Sequence, residues 1–226
     1  GGDLMAKTTV IIRVKNEADW IGHAIQSVID KIENSKIIIV DNSCEDNSIN
    51  IAKLFKHDTS IPDSKRYVDL DIINIENYSP GKAINQAVNL VSSPTVLLLS
   101  SHCELTEYSE NLVEELLKDN VAVFGKQIPR YFGKRIVPRY IWSHYTGERT
   151  LNMFSKLENR YFMHNAFCAF ETNYLKNNPF NENLVGKEDR YWAENVVKGG
   201  RTYLYEPTLI CQHHYTSDGN TWRGVD

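Results

Sequence analysis

The stretch Val96-Leu97-Leu98-Leu99-Ser100-Ser101-His102-Cys103-Glu104 decides how this chain is read. Four apolar residues in succession read as a short strand buried on both faces. The run then breaks into Ser, Ser, His, Cys and Glu, side chains able to hold a metal or a hydrogen-bond partner. In open α/β sheets, ligands bind at the carboxyl ends of the central strands. The plain alternative is a strand followed by a polar turn, with His102 merely hydrogen-bonded. The neighbouring segments decide between the two.

Upstream, Thr8–Val14 (TTVIIRV) is β-branched and apolar, as expected of a strand covered on both faces. Ile21, Ala24, Ile25, Val28, Ile29 and Ile32 then recur at helical spacing, with Asp19 in position to cap the helix. Lys36–Val40 is a second strand, and Asp46-Asn47-Ser48 signals a second helix. His57–Arg66 reads as loop and Val68–Ile75 as a third strand. Asn77-Tyr78-Ser79-Pro80-Gly81 reads as a turn before a helix carrying Ile84, Ala87, Val88 and Val91. Downstream, Leu112, Val113, Leu116 and Leu117 mark a fourth helix, and Val121–Gln127 a further strand. Strand and helix thus alternate at βαβ spacing through the first half of the chain. That pattern predicts an α/β fold, a mostly parallel central sheet flanked by helices on both faces.

Beyond Pro129 the alternation fades. Arg130, Arg135, Arg139, Arg149 and Arg160 are interleaved with Tyr131, Phe132, Tyr140, Trp142 and Tyr145. Aromatic faces stack on pyranose rings and Arg forks grip acids, so this segment suits a sugar or an anionic acceptor; an ordinary amphipathic surface fits equally well. Its aromatics would also suit a dimer contact, and the sequence names no oligomeric state. His164–Phe170 reads as a strand. A helix with Trp192, Ala193, Val196 and Val197 follows Lys187-Glu188-Asp189-Arg190 and ends at Gly199-Gly200. Thr202–Tyr205 reads as a further strand, and Cys211-Gln212-His213-His214-Tyr215 follows Pro207.

Composition narrows the function. A chain of 226 residues can bury roughly 70% of its unfolded surface without staples. A net charge of −4 argues against a basic nucleic-acid-binding surface. Cys44, Cys103, Cys168 and Cys211 form no CxxC pair, so neither a zinc ribbon nor a disulfide framework is indicated, and a reducing compartment is the simpler reading. No apolar run approaches the ~20 residues that span a bilayer, and no signal peptide is visible. The expectation is a cytoplasmic protein, with peripheral attachment to a membrane left open. Gly1–Leu4 before Met5 reads as a cloning remnant, which puts the expected domain at residues 5–226.

Polar groups fall at the ends of the predicted strands: Asn16 and Glu17 after the first, Asp41 after the second, Ser100–His102 after the fourth. A parallel sheet gathers those ends along one edge. A carboxylate such as Asp41 can accept the imide N–H of uracil or thymine. Lys82, at the start of the third helix, would meet a phosphate there. No Gly-rich phosphate loop of the Walker or dinucleotide type is present.

The segments VIIRVKNEADWIGHAIQSV, IIIVDNSCEDNS, SPGKAINQAV and VLLLSSHCEL resemble, in order and spacing, those of family 2 glycosyltransferases. NAFCAFETNYL, GKEDRYWAENVVKGG and YEPTLICQHHY are similar to that family's later segments. The nearest look is to rhamnosyltransferase-like members, through Ser101-His102-Cys103 and Gly125-Lys126-Gln127-Ile128-Pro129. The resemblance implies the nucleotide-diphospho-sugar transferase fold, GT-A. It also implies an inverting transferase that uses a UDP-, dTDP- or GDP-linked sugar donor and a glycan or other hydroxyl acceptor.

Carried over by position, Asp41 would bind the base of the donor, with Arg13, Asn16 and Glu17 beside it. Lys82 and Asn85 would approach the diphosphate or ribose, with Ser101 nearby. Asp189 would be the general base with Glu188 alongside, though capping a helix is the commonest use of an Asp at such a position. Residues 5–127 would form the nucleotide-sugar half and 128–226 the acceptor half. The family's usual Asp-x-Asp is replaced by Ser100 and His102. Imidazole suits Mn²⁺ better than Mg²⁺. The expectation is therefore a Mn²⁺ held by His102, a late His and the diphosphate, or no tight metal; His213 best matches the family's late metal His, with His214 as the fallback. A degenerate, non-catalytic nucleotide-sugar-binding module is the rival reading. A sugar-phosphate nucleotidyltransferase ranks last, for want of a Gly-rich basic loop.

Overall fold

The computed structural model describes residues 6–33, 35–56, 68–132, 134–135 and 141–222. The expected loop His57–Arg66, Arg139, Tyr140 and the first five residues lie outside them, as does the side chain of Arg135.

In chain order the elements are β1 (Thr8–Val14), α1 (Ile21–Lys31), β2 (Ser35–Asp41), α2 (Ser48–Lys53), β3 (Asp69–Asn74), α3 (Pro80–Val88), β4 (Thr95–Leu99) and β5 (Cys103–Glu107). Then come α4 (Glu110–Leu116), β6 (Ala122–Tyr131), β7 (Lys134–Arg135), β8 (Thr150–Leu151), β9 (Phe154–Ser155) and β10 (Arg160–Tyr161). The last are β11 (Phe167–Glu171), α5 (Thr172–Asn177), α6 (Glu188–Lys198) and β12 (Tyr203–His214).

The main sheet has the order β3-β2-β1-β4-β11-β6-β12-β5, with β7 added on β6 and β8 on β12. Strands β3, β2, β1 and β4 are parallel. β11 runs antiparallel to both β4 and β6, β12 runs parallel to β6, and β5 runs antiparallel to β12. The expected mostly parallel sheet flanked by helices is therefore what forms. β6 crosses residue 127, so the sheet itself runs through both halves of the chain.

Period-two alternation divides the core between the two faces. Ile11, Val96 and Leu98 pack on one face with Ala83, Ile84, Ala87 and Val88 of α3 and Trp192, Ala193 and Val196 of α6. Val10, Ile12, Val14, Leu97 and Leu99 pack on the other with Ile21, Ala24, Ile25 and Val28 of α1 and Val113 of α4. Each fully buried Ile, Val or Leu is worth about 1.5–3 kcal/mol, so the strands stay in register because a one-residue slip would exchange the two cores.

Several local expectations are corrected. Asp19 does not cap α1; the carbonyl of Glu17 takes the N–H groups of Trp20 and Ile21, and Asp19 is exposed. Pro80 and Gly81 belong to the first turn of α3, where Pro's missing N–H is no loss and the Ser79 side chain caps Lys82 N–H. Gly81 is needed there, because a Cβ would stand 2.7 Å from the carbonyl oxygen of Asn181. The polar residues after β4 make a tight turn only through His102, and Cys103–Glu107 is a strand. β12 is one strand from Tyr203 to His214; Pro207 lacks a ladder N–H, so the register shifts between Glu206 and Ile210 instead of the strand ending. In the basic–aromatic segment Trp142 and Tyr145 are buried in the core, and Arg149 pairs with Glu206. No helix among the described residues is long and apolar enough to cross a membrane.

Candidate active site

The topology gathers distant segments at the carboxyl edge of the sheet. β1 ends at Val14, in register with Asp41 of β2. β4 ends at Leu99, and the turn Ser100–His102 leads into β5. Because β11 is antiparallel, its beginning lies at the same edge, where Ser100 N–H donates to the carbonyl of Ala166 at 2.9 Å. β12 delivers His213 there, opposite Cys103. A cavity of about 610 Å³ opens at this edge. Arg13, Glu17, Ser101, His102, His164, Asn165, Glu188, Asp189, Arg190 and His213 line it, with Tyr78, Ser79 and Pro80 at the start of α3.

The loop after β1 is held by polar contacts. Asn16 sits at φ 51° and its Oδ1 accepts the N–H of Glu45 at 2.8 Å. Glu17 N–H donates to Ser48 Oγ at 2.7 Å, and Ser48 donates to Asp46 at 2.6 Å. Glu17 is thereby presented inward, with Oε1 3.2 Å from His102 Nδ1. His102 Nε2 lies 2.8 Å from His213 Nε2. His213 Nδ1 lies 2.8 Å from Gln127 Oε1, and Gln127 Nε2 lies 3.0 Å from His164 Nδ1. Burial drives His213 well below the ordinary imidazole range, helped by His102, His164 and His214; burial chiefly takes His164 down to about 4. Both are therefore neutral at physiological pH.

The carboxylates stand at the N-terminus of α6, where the helix dipole favours negative charge. Asp189 Oδ2 accepts the N–H of Asn165 at 3.0 Å. Its Oδ1 accepts Arg190 N–H at 2.9 Å and the Arg190 guanidinium at 3.0 Å. Arg190 is also gripped by Glu158, at 3.1 and 3.2 Å, and lies 4.5 Å over the Phe162 ring. Burial works to raise the Asp189 carboxyl, but Arg190, His164 and Asn165 N–H outweigh it, and Asp189 titrates below the usual carboxylate range. Glu188 moves the other way: burial first, then the charge of Asp189, raise it. Two adjacent carboxyls are thus pushed apart, a pattern common where acids and bases divide their roles.

Of the residues singled out in the sequence, Arg13, Glu17, Ser101, His102, Glu188, Asp189 and His213 share the cavity. Among the described residues the Arg13 side chain makes no hydrogen bond or close ion pair, though its charge acts on the Glu188 carboxyl. Asp41 stands at the same edge one strand further out, its Oδ1 accepting Cys44 N–H at 2.9 Å, and is not part of the lining. Asn16, Lys82 and Asn85 are also outside the lining. Lys82 Nζ donates to the carbonyl of Glu76 at 2.6 Å, and Asn85 ties α3 to Phe180 and Glu182. His214 points elsewhere: it stacks on Trp20 at 3.8 Å and bonds Glu104 at 3.3 Å.

Sequence reasoning missed Gln127, His164, Arg190 and Glu158. Gln127 lay in a quoted motif, Gly-Lys-Gln, whose logic is now visible. Gly125 lets β6 approach the Phe167 ring and the Leu209 carbonyl, where a Cβ would collide. Gln127 joins two imidazoles. Nothing local marks Glu158. No group of three or more His, Cys, Asp or Glu side chains among the described residues forms a ready metal cage. The His102–His213 pair offers two nitrogens, each with Nδ1 beside an oxygen acceptor, as metal-bound imidazoles commonly have. These two residues fit as two of the ligands of a cation.

The sheet order, with its antiparallel β11 and a cavity at the carboxyl edge, is that of the nucleotide-diphospho-sugar transferase class, the GT-A fold. The family model described as "Glycosyl transferase family 2" matches residues 9–178, and the chain belongs to that family. Among solved structures the chain is similar to TarS 1–349 of S. aureus in complex with UDP-GlcNAc. The TM-score is 0.71 at 16% identity, covering 96% of this chain and 61% of that one. It is also similar to the same protein with UDP, at TM-score 0.68 and 17% identity, covering 93% and 61%. GalNAc-T7 with UDP, GalNAc and Mn²⁺ is matched at TM-score 0.69 and 12% identity, covering 96% and 45%. The chain therefore spans 45–61% of the length of these proteins. No curated protein matches the sequence.

Proposed function

We propose that the protein is an inverting glycosyltransferase. It would move a sugar from a UDP-, dTDP- or GDP-linked donor to a hydroxyl of a glycan, in the assembly of a polysaccharide. The observation that carries this is one cavity holding a guanidinium, Arg13, a converging imidazole pair, His102 and His213, and a buried ionised carboxylate, Asp189. That set matches a diphosphate leaving group at one point and a reacting hydroxyl at another.

In this reading Asp41 receives the base of the donor, and Arg13 faces the diphosphate. Residues 5–127 hold the donor, and 128–226 the acceptor and the base. His102 and His213 hold a divalent cation, Mn²⁺ in preference to Mg²⁺, because the ligands are imidazoles. When bound, the cation stabilises charge developing on the leaving diphosphate. Asp189 Oδ2 takes the proton of the acceptor hydroxyl. The hydroxyl oxygen bonds to the anomeric carbon as the carbon–phosphate-oxygen bond breaks, its electron pair leaving with the diphosphate. One displacement inverts the centre, so one base is enough. The Ser101-His102-Cys103 and Gly-Lys-Gln segments support the rhamnosyltransferase-like branch of the family.

A specific observation favours Glu188 as an alternative base: its carboxyl is raised, and so is better matched to accept a proton near neutrality. Calorimetry with UDP-, dTDP- and GDP-sugars, with and without Mn²⁺, followed by a transfer assay on candidate glycans, tests the proposal. Donor binding with transfer supports it. Binding with neither transfer nor donor hydrolysis would instead favour a non-catalytic module, the rival that replacement of Asp-x-Asp by Ser100 and His102 motivates.

A further inference from the structure

We infer that Gln127 is a positioning residue. Its amide fixes His213 as the Nδ1–H tautomer, so that the Nε2 lone pairs of His213 and His102 face the same point. This rests on the site described above and deepens the proposed cation-binding role of the pair.

One donor in this chain of contacts cannot reverse. The backbone N–H of Ala166 lies 3.2 Å from His164 Nδ1, so that nitrogen accepts and carries no proton. The end of Gln127 that lies 3.0 Å from the same nitrogen must then be its NH₂. The carbonyl Oε1 is left for His213 Nδ1, at 2.8 Å. An amide oxygen only accepts, so His213 carries its proton on Nδ1, and a neutral imidazole has no second proton for Nε2. At the other end Glu17 Oε1, 3.2 Å from His102 Nδ1, draws that ring's proton the same way. With both rings neutral, two bare nitrogens 2.8 Å apart face each other, and the Ser100 Oγ lies 3.3 Å from that of His102. Facing lone pairs repel, so in that state the pair suits a cation.

The fold holds the lock rigidly. Gln127 is 2% exposed and His213 1%. β6 and β12 pair in register with Gln127 beside Cys211, so His213, two residues on, presents its side chain on the same face as Gln127. Glutamine is the residue type that satisfies both neighbours. Glutamate would accept from His213 but could not donate to His164, and methionine would do neither.

The test begins with metal-free protein. Long-range ¹H–¹⁵N correlation spectra of the imidazoles report each tautomer. Wild type should show His213 as Nδ1–H, Gln127→Glu should keep that form, and Gln127→Met should lose it. Titration with Co²⁺ alone should show Gln127→Met binding about 10–100-fold more weakly than wild type, with Gln127→Glu close to wild type. His213 found as Nε2–H in wild type would overturn the inference, as would Gln127→Met binding Co²⁺ as tightly as wild type. If Gln127→Met does not fold, the wild-type spectrum and Gln127→Glu still decide. Wild-type protein with the Nδ1–H form but no Co²⁺ binding would support the lock and refute the cation role in the proposed function.

Discussion

Asp189→Asn removes a charge and a proton acceptor while keeping the shape of the side chain. Asp189 Oδ1 is occupied by two donors of Arg190, whereas among the described residues Oδ2 accepts only Asn165 N–H, which leaves it a lone pair for the acceptor hydroxyl. An amide can still hold Asn165 N–H but cannot take a proton. A positioned general base contributes about 10²–10⁴-fold, so kcat should fall by that factor. At 1.36 kcal/mol per tenfold this is about 2.7–5.4 kcal/mol of barrier. Donor affinity should change little, because Arg13 and the imidazole pair are untouched.

The folding cost is smaller. Arg190 keeps both contacts to Glu158, so the loss should be about 1–3 kcal/mol, below the 3–5 kcal/mol typical of a buried ion left alone. The Asp189 carboxyl is depressed in the folded state. Its contribution to stability is therefore full above the unfolded carboxylate value and is lost as pH falls through the folded one. The acid limb of kcat should likewise lie below the ordinary carboxylate range if Asp189 is the base. Single-turnover transfer across pH, with calorimetry for the donor, measures all of this. Transfer by Asp189→Asn at the wild-type rate would refute the reasoning. An acid limb above the ordinary carboxylate range that vanishes in Glu188→Gln would hand the role to Glu188, whose carboxyl is raised.

Gly125→Ala should cost about 3 kcal/mol or more, because its Cβ would meet the Phe167 ring and stand 2.8 Å from the Leu209 carbonyl oxygen; urea denaturation showing no loss would contradict that crowding. His102→Ala and His213→Ala should each abolish Co²⁺ binding while His214→Ala leaves it intact, since His214 is stacked on Trp20 and lies outside the cavity lining; loss in His214→Ala alone would reverse the assignment. Asn165→Ala should change stability by less than about 1 kcal/mol, because neither atom of its buried amide has a hydrogen-bond partner among the described residues. A drop of about 2 kcal/mol or more in thermal or urea unfolding would show that the amide is paired after all.

Local pattern alone settled the strand and helix alternation from Thr8 to Leu99, because apolar spacing is a short-range signal carried by each segment. The same pattern marked Glu17, His102 and Asp189 as polar groups at element ends. It did not show that Cys103–Glu107 is a strand, since β5 is held by pairing with β12 more than a hundred residues away. Nor did it show Gln127 between His213 and His164, or Glu158 against Arg190. It preferred His213 and kept His214 as a fallback by position in the segment alone; the physical reason lies in the pleat of β12, which sends adjacent side chains to opposite faces so that of the two His213 lines the cavity. Periodicity records which face a residue shows its nearest neighbours along the chain. Which distant side chain waits on that face is decided only when the strands pair.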